Sequence, residues 1–159
     1  MHITSGGWVV RLAAPNGIQY TLRSLISFTI PGKPKALKRH RVARNGRMYD
    51  PSSADKKQTW LQIAKHKPKL PLKGAIEMFL YFAMPRPKSH YRTGKFAELL
   101  KDTAPDRHIS KPDTDNLVKY VLDVLEKGFF CNDSQVYSIT AIKEYGEEPS
   151  THIRIKEIL

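Results

Sequence analysis

The sequence predicts an α+β fold, a small single domain in which two main helices pack on one mixed β-sheet. Three observations carry that prediction. Short runs near Ile26 and Ile153 alternate apolar with polar residues, the period of a half-buried strand. A longer run, "GAIEMFLYFAMP", is apolar on both faces and belongs near the centre of a sheet. A stretch beginning at Asp115 carries apolar residues at helical spacing. The chain has 159 residues and a 40% hydrophobic share, enough for one domain of ordinary size with a modest core.

Taken in order, Met1 to Arg23 gives weak signals: a Gly-Gly, a short apolar run and the turn-like "PNG". It reads as an appended hairpin or a loose tail. We set residues 1–23 apart as an N-terminal extension of unknown role and assign 24–159 to the domain. In "LISFTIPGKP", Ile26, Phe28 and Ile30 alternate with Ser27 and Thr29, and Pro31-Gly32 ends the strand. "KPKALKRHRVARNGR", Lys33 to Arg47, holds seven Lys/Arg and no acid, with Asn45-Gly46 as a tight turn between short strands. "DPSSADKKQTWLQIAKHK" reads as a helix capped by Ser52, Ser53 or Asp55, with Trp60, Ile63 and Ala64 inward and Pro68 beyond its end.

The strand around Ile76 to Met84 follows, and then a long connection from Pro85 to Pro112. Connections of that length are usually functional or mobile. "KFAELLK" has room in it for a helical turn or two. Leu117, Val118, Val121, Leu122 and Leu125 then form the stripe of the main helix, with Asp115, Lys119, Asp123 and Glu126 opposite. Gly128 is the expected helix stop. Gln135 to Lys143 and "STHIRIKEI" supply the last two strands.

Charge narrows the function. The formal net charge is +12, unevenly spread: Met1 to Ala97 carries +16 and Glu98 to Leu159 carries −4. Such a field favours a polyanionic partner, and nucleic acid is the commonest. No run of apolar residues is long enough to span a bilayer, and no leader pattern opens the chain. A lone cysteine, Cys131, excludes an internal disulfide. We therefore expect a soluble cytoplasmic protein with no membrane partner and no small-molecule cofactor.

Against this basic background stands "KPDTDNLVKYVLDVLEKGFFCNDSQV", with Asp113 and Asp115 at a helix start and Asp133 in a polar turn. Taken singly, each has a structural explanation. Asp113 or Thr114 caps the helix, Asp115 pairs with Lys119 at i, i+4, and Asp133 serves a turn. Brought together, three carboxylates would repel one another, and a hard divalent cation is the usual remedy. Beside a basic surface that chemistry is phosphodiester hydrolysis. Zinc is a poor alternative, because the histidines are scattered and the cysteine is alone. Lys38, Arg39, Arg41, Arg44 and Arg47 are the candidate phosphate contacts, with Lys33 and Lys111 flanking. Tyr49, Tyr91 and Phe129 are candidates to stack on opened bases, although core packing is the commoner role. Asn116 is either a partner holding a carboxylate or a helix-start residue.

The "D-x-D-N-x-x-K" signature with its downstream "D-S-Q-V", preceded by an "FTIPGKP" strand, resembles the RusA family of Holliday-junction resolvases. The resemblance runs from about Leu25 to Ile158. It implies a RusA-like fold, a bacterial or prophage origin, and a homodimer that makes paired nicks in four-way DNA junctions. It further implies Mg²⁺ as cofactor, with Mn²⁺ as a substitute. By position, Asp113, Asp115 and Asp133 match the catalytic, metal-binding aspartates and Lys119 the essential lysine. Asn132 departs from the family's usual acid. Two rival expectations stand beside this one: a catalytically inactive DNA-binding accessory protein, and a nuclease of looser taste for flaps or forks.

Overall fold

A computed structural model of the chain describes residues 10–13, 19–126 and 128–158. Strands β1 (Val10–Ala13) and β2 (Gln19–Pro31) pair antiparallel. The two short strands β3 (Arg41–Val42) and β4 (Met48–Tyr49) form a separate hairpin. Helix α1 (Ser53–Ile63) and strand β5 (Ala75–Pro85) follow, then helix α2 (Thr114–Leu125), β6 (Val136–Gly146) and β7 (Ser150–Ile158). The main sheet has the order β1-β2-β7-β5-β6, with β5 and β6 parallel and the other pairs antiparallel. The sheet is therefore mixed, and the expected α+β order is met.

Strand β5 lies between β7 and β6, as its doubly apolar sequence requires. Ile76, Met78, Leu80, Phe82 and Met84 are at most 1% exposed. They share a face with Ile153 and Ile155 of β7 and meet the helices there. Burying side chains of this size contributes about 1.5–3 kcal/mol each. The inner face of α2 holds Leu117, Tyr120, Val121, Val124 and Leu125. Val118 and Leu122, expected inside, are half-buried at its margin. On α1 the buried residues are Thr59 and Ile63. The Thr59 hydroxyl and the Tyr120 hydroxyl, 2.9 Å apart, join the two helices by a buried hydrogen bond. Neither polar residue stands out in a hydrophobic pattern.

Gly128 does not stop α2 by a left-handed backbone. The described glycines with positive φ are Gly32, Gly46 and Gly94. Gly128 is instead bare because a Cβ there would overlap Cη2 and Cζ3 of Trp60. The stop comes at Glu126, whose ψ of 145° turns the chain out of the helix.

The connection from Pro85 to Pro112 is built rather than loose. It contains 3₁₀ turns at Lys88–His90 and Gly94–Phe96 and a bridge between Tyr91 and Leu100. Its end runs along β6, where the Tyr145 amide donates to the Asp106 carbonyl at 2.7 Å.

Much of the N-terminal extension lies outside the described residues. What is described ties it to the domain: β2 runs from Gln19 across residue 23 with an irregularity between Leu22 and Ser24. Arg23 also reaches Glu157 of β7 at 3.8 Å.

Candidate active site and nucleic-acid interface

Helix α2 begins at Asp113, which holds the N-cap position with φ −71° and ψ 146°. Its carbonyl accepts from the Leu117 amide, but its carboxylate caps nothing. An N-cap aspartate usually spends its side chain on the helix amides. Here the carboxylate opens instead on a cleft of about 490 Å³, shared with Asp115, Asn116, Lys119, Leu37, Lys38, Arg39 and His40. The chain entering the helix is held by Lys143 of β6, whose Nζ donates at 2.7 Å to both the Ser110 and the Pro112 carbonyls.

Lys119 Nζ donates to Asp115 Oδ2 at 3.1 Å, one helical turn away. That hydrogen bond holds the Asp115 carboxyl below the usual carboxylate range. Asp115 thus stays ionised at neutral pH. The basic segment is joined to this helix by its backbone: the Leu37 amide donates to the Asn116 carbonyl at 2.9 Å. That contact sets Lys38, Arg39 and His40 in the same cleft as the acids. Sequence reasoning missed His40, and its place in "KRHR" was the available signal. Lys143 carried no signal, since its partners lie some thirty residues away.

The remaining basic candidates divide into two groups. Lys38 pairs with Asp55 at 3.3 Å, and Lys35 shares the same carboxylate at 3.2 Å. Arg39, Arg41, Arg44 and Arg47 are exposed and, among the described residues, join no ion pair. Lys33 and Lys111 are exposed as well. Of the stacking candidates, Phe129 is fully buried and is core, Tyr91 is half-buried, and Tyr49 is 46% exposed.

Asp133 sits elsewhere. It opens a 3₁₀ turn, Asp133–Gln135, that leads into β6. Since α2 ends near this turn and β6 returns to the Asp113 end, the two sites lie at opposite ends of a twelve-residue helix, about 20 Å apart. Among the described residues no group of three or more His, Cys, Asp or Glu side chains is placed to hold a metal ion. A single chain therefore does not bring Asp133 to the pair.

The turn also explains Asn132. Its side chain accepts from the Ser134 amide at 2.8 Å, and Gln135 Oε1 accepts from the Asn132 amide at 2.9 Å, a reciprocal capping box. Asparagine caps as well as aspartate, so the departure at this position keeps the turn.

This is an α+β domain that sets two carboxylates, one of them paired with a lysine, at a helix start, facing a basic arm whose four arginines join no ion pair among the described residues. Comparison with known proteins gives the family. The family described as Endodeoxyribonuclease RusA matches residues 31–156. The uncharacterized protein YqaN of Bacillus subtilis (strain 168) is 34% identical over 143 residues, covering 84% of this chain and 96% of that protein. The chain belongs to the RusA endodeoxyribonuclease family.

Proposed function

We propose that this protein nicks branched DNA, four-way junctions first among them, and does so as a homodimer with two composite sites. The observation that carries this reading is the single cleft in which Asp113, Asp115 and Lys119 face Arg39 and Lys38. Asp113 and Asp115 fit Mg²⁺, which takes one or two carboxylates, keeps several waters, and completes its shell with phosphate. When bound, the ion supplies charge neutralisation at the scissile phosphate and a water of lowered pKa. Lys119 lies beside Asp115, where its ammonium can oppose charge that builds on the phosphate oxygens. Arg39, Arg41, Arg44 and Arg47 hold neighbouring phosphates and orient the strand.

The separation of Asp133 supports a second copy as its source. A twofold axis passing beside α2, level with its middle, would lay each helix start beside the partner's helix end. Two sites related by such an axis also suit a substrate in which two strands must be cut.

Mixing variants tests both parts. Asp113→Asn and Asp133→Asn should each abolish Mg²⁺-dependent nicking of a labelled junction while binding persists. Mixed after unfolding and refolding together, the two should regain roughly a quarter of wild-type nicking, since half the dimers then hold one intact composite site. No recovery, with dimers present, would refute the partner chain as the source of Asp133. Loss of binding together with cleavage would make these residues structural. Absence of nicking by the wild-type chain with Mg²⁺ would favour the inactive accessory protein.

A further inference from the structure

The hairpin of β3 and β4 has no core of its own. Its two strands pair Arg41 with Tyr49 and Val42 with Met48. Residues directly opposed across a ribbon share a face, so Val42 and Met48 occupy one side and Arg41 and Tyr49 the other. Both sides face solvent: Val42 is 65%, Met48 68% and Tyr49 46% exposed. An isolated two-stranded ribbon is marginal in water, and exposed apolar side chains on both faces do nothing to stabilise this one.

Its base, in contrast, is firmly rooted. The Leu37 amide is bonded to α2, the Lys38 amide donates to Ser52 Oγ at 2.9 Å, and Asp50 is held by Lys56 at 2.7 Å. The turn is tight as well, with Asn45 Oδ1 accepting from the Arg47 amide at 3.1 Å and Gly46 at φ +79°. The arm thus projects a defined shape from the helix start that carries Asp113 and Asp115.

A ligand for this arm must be anionic, because Arg39, Arg41, Arg44 and Arg47 join no ion pair among the described residues, and it must also present flat apolar surface to both sides. Linear duplex meets the first condition only, since its bases are stacked. A branch point meets both: where arms diverge, terminal base pairs expose their faces between converging phosphate backbones. We infer that the β3–β4 ribbon inserts at the branch point of DNA, Val42 and Met48 against the base-pair face of one arm and Tyr49 against that of another. This rests on the proposed function and deepens it, assigning the preference for branched over linear DNA to three side chains rather than to the acid cluster.

The test uses the full chain with Asp113→Asn, so that binding is read without cleavage, in Mg²⁺ at fixed salt. Competition between a four-way junction and linear duplex of equal length gives the preference. Adding Met48→Ser with Tyr49→Ser should cut that preference about tenfold, the scale of a lost base–side-chain stack. The β-favouring Val42→Thr should cut it less, and Arg44→Gln should weaken both DNAs alike. With 2-aminopurine beside the branch, binding should raise its emission, and the serine variants should lose that rise. An unchanged preference in the serine variants overturns the inference, as does an equal loss on both DNAs. A fall to monomer mass in the ultracentrifuge also overturns it, making the arm a contact between copies. If the wild-type chain still nicks the junction in those cases, the inference fails alone. If the wild type neither binds nor nicks junctions, the proposed function fails with it.

Discussion

Gln135 offers a demanding test of how the Asp133 turn is held. Its Nε2 donates at 3.0 Å to the Leu72 and Gly74 carbonyls, both bonds partly buried. Its Oε1 accepts from the exposed amides of Cys131 and Asn132 at 2.8 and 2.9 Å. Gln135→Glu preserves shape and both acceptor contacts, but it removes two donors and turns an oxygen toward two carbonyl oxygens. Each lost bond costs about 1 kcal/mol net, and each carbonyl left unpaired adds a similar amount, giving about 2–4 kcal/mol. Gln135→Ala loses four bonds, yet water can serve the exposed amides, so about 1–3 kcal/mol is expected.

The pH dependence separates bond chemistry from shape. The introduced carboxylate faces carbonyls that favour its protonated form, so its pKa in the fold lies above the unfolded value of about 4.3. Its protonated form then donates one of the lost bonds. The deficit relative to wild type should therefore be largest at pH 7 and shrink by about 1 kcal/mol on acidification to about pH 4. Urea melts of wild type and variant at both pH values measure this. A Gln135→Glu chain within about 0.5 kcal/mol of wild type at pH 7, or a deficit that grows on acidification, would refute the account.

Other consequences are as specific. Gly128→Ala should destabilise the fold by about 1–3 kcal/mol through overlap with the Trp60 ring, and Trp60→Phe in the same chain should recover part of that loss; additive effects in a double-mutant cycle would exclude the clash. His108 is 8% exposed, and its burial, aided by the Lys143 and Lys33 charges, lowers its pKa. It therefore stays neutral where the unfolded histidine gains a proton, so stability should fall as pH drops below about 6.5, and His108→Phe should flatten that part of a Tm–pH curve. Lys56 bridges Asp50 at 2.7 Å and Asp123 at 2.8 Å, so Lys56→Met should cost about 1–2 kcal/mol by leaving two carboxylates unpaired; an unchanged urea midpoint would show the bridge to be inert.

The order of strands and helices was legible in the chain because each signal is local. Alternation over Ile26 to Ile30, the doubly apolar run through Leu80 and the stripe through Leu117 all follow from backbone geometry, which sets periods of two and 3.6. Asp113 and Asp115 at a helix start, and the excess of positive charge before them, are local in the same sense. What a period cannot contain is the choice of partner. The bond from Leu37 to Asn116, which seats the arginine arm beside the acids, joins residues 79 positions apart. The Thr59–Tyr120 bond, the overlap that makes Gly128 necessary, and Asp133's place at the far end of α2 are of this kind. They depend on strand order, register and helix packing, which arise only when the whole sheet assembles, so tertiary structure alone decided them.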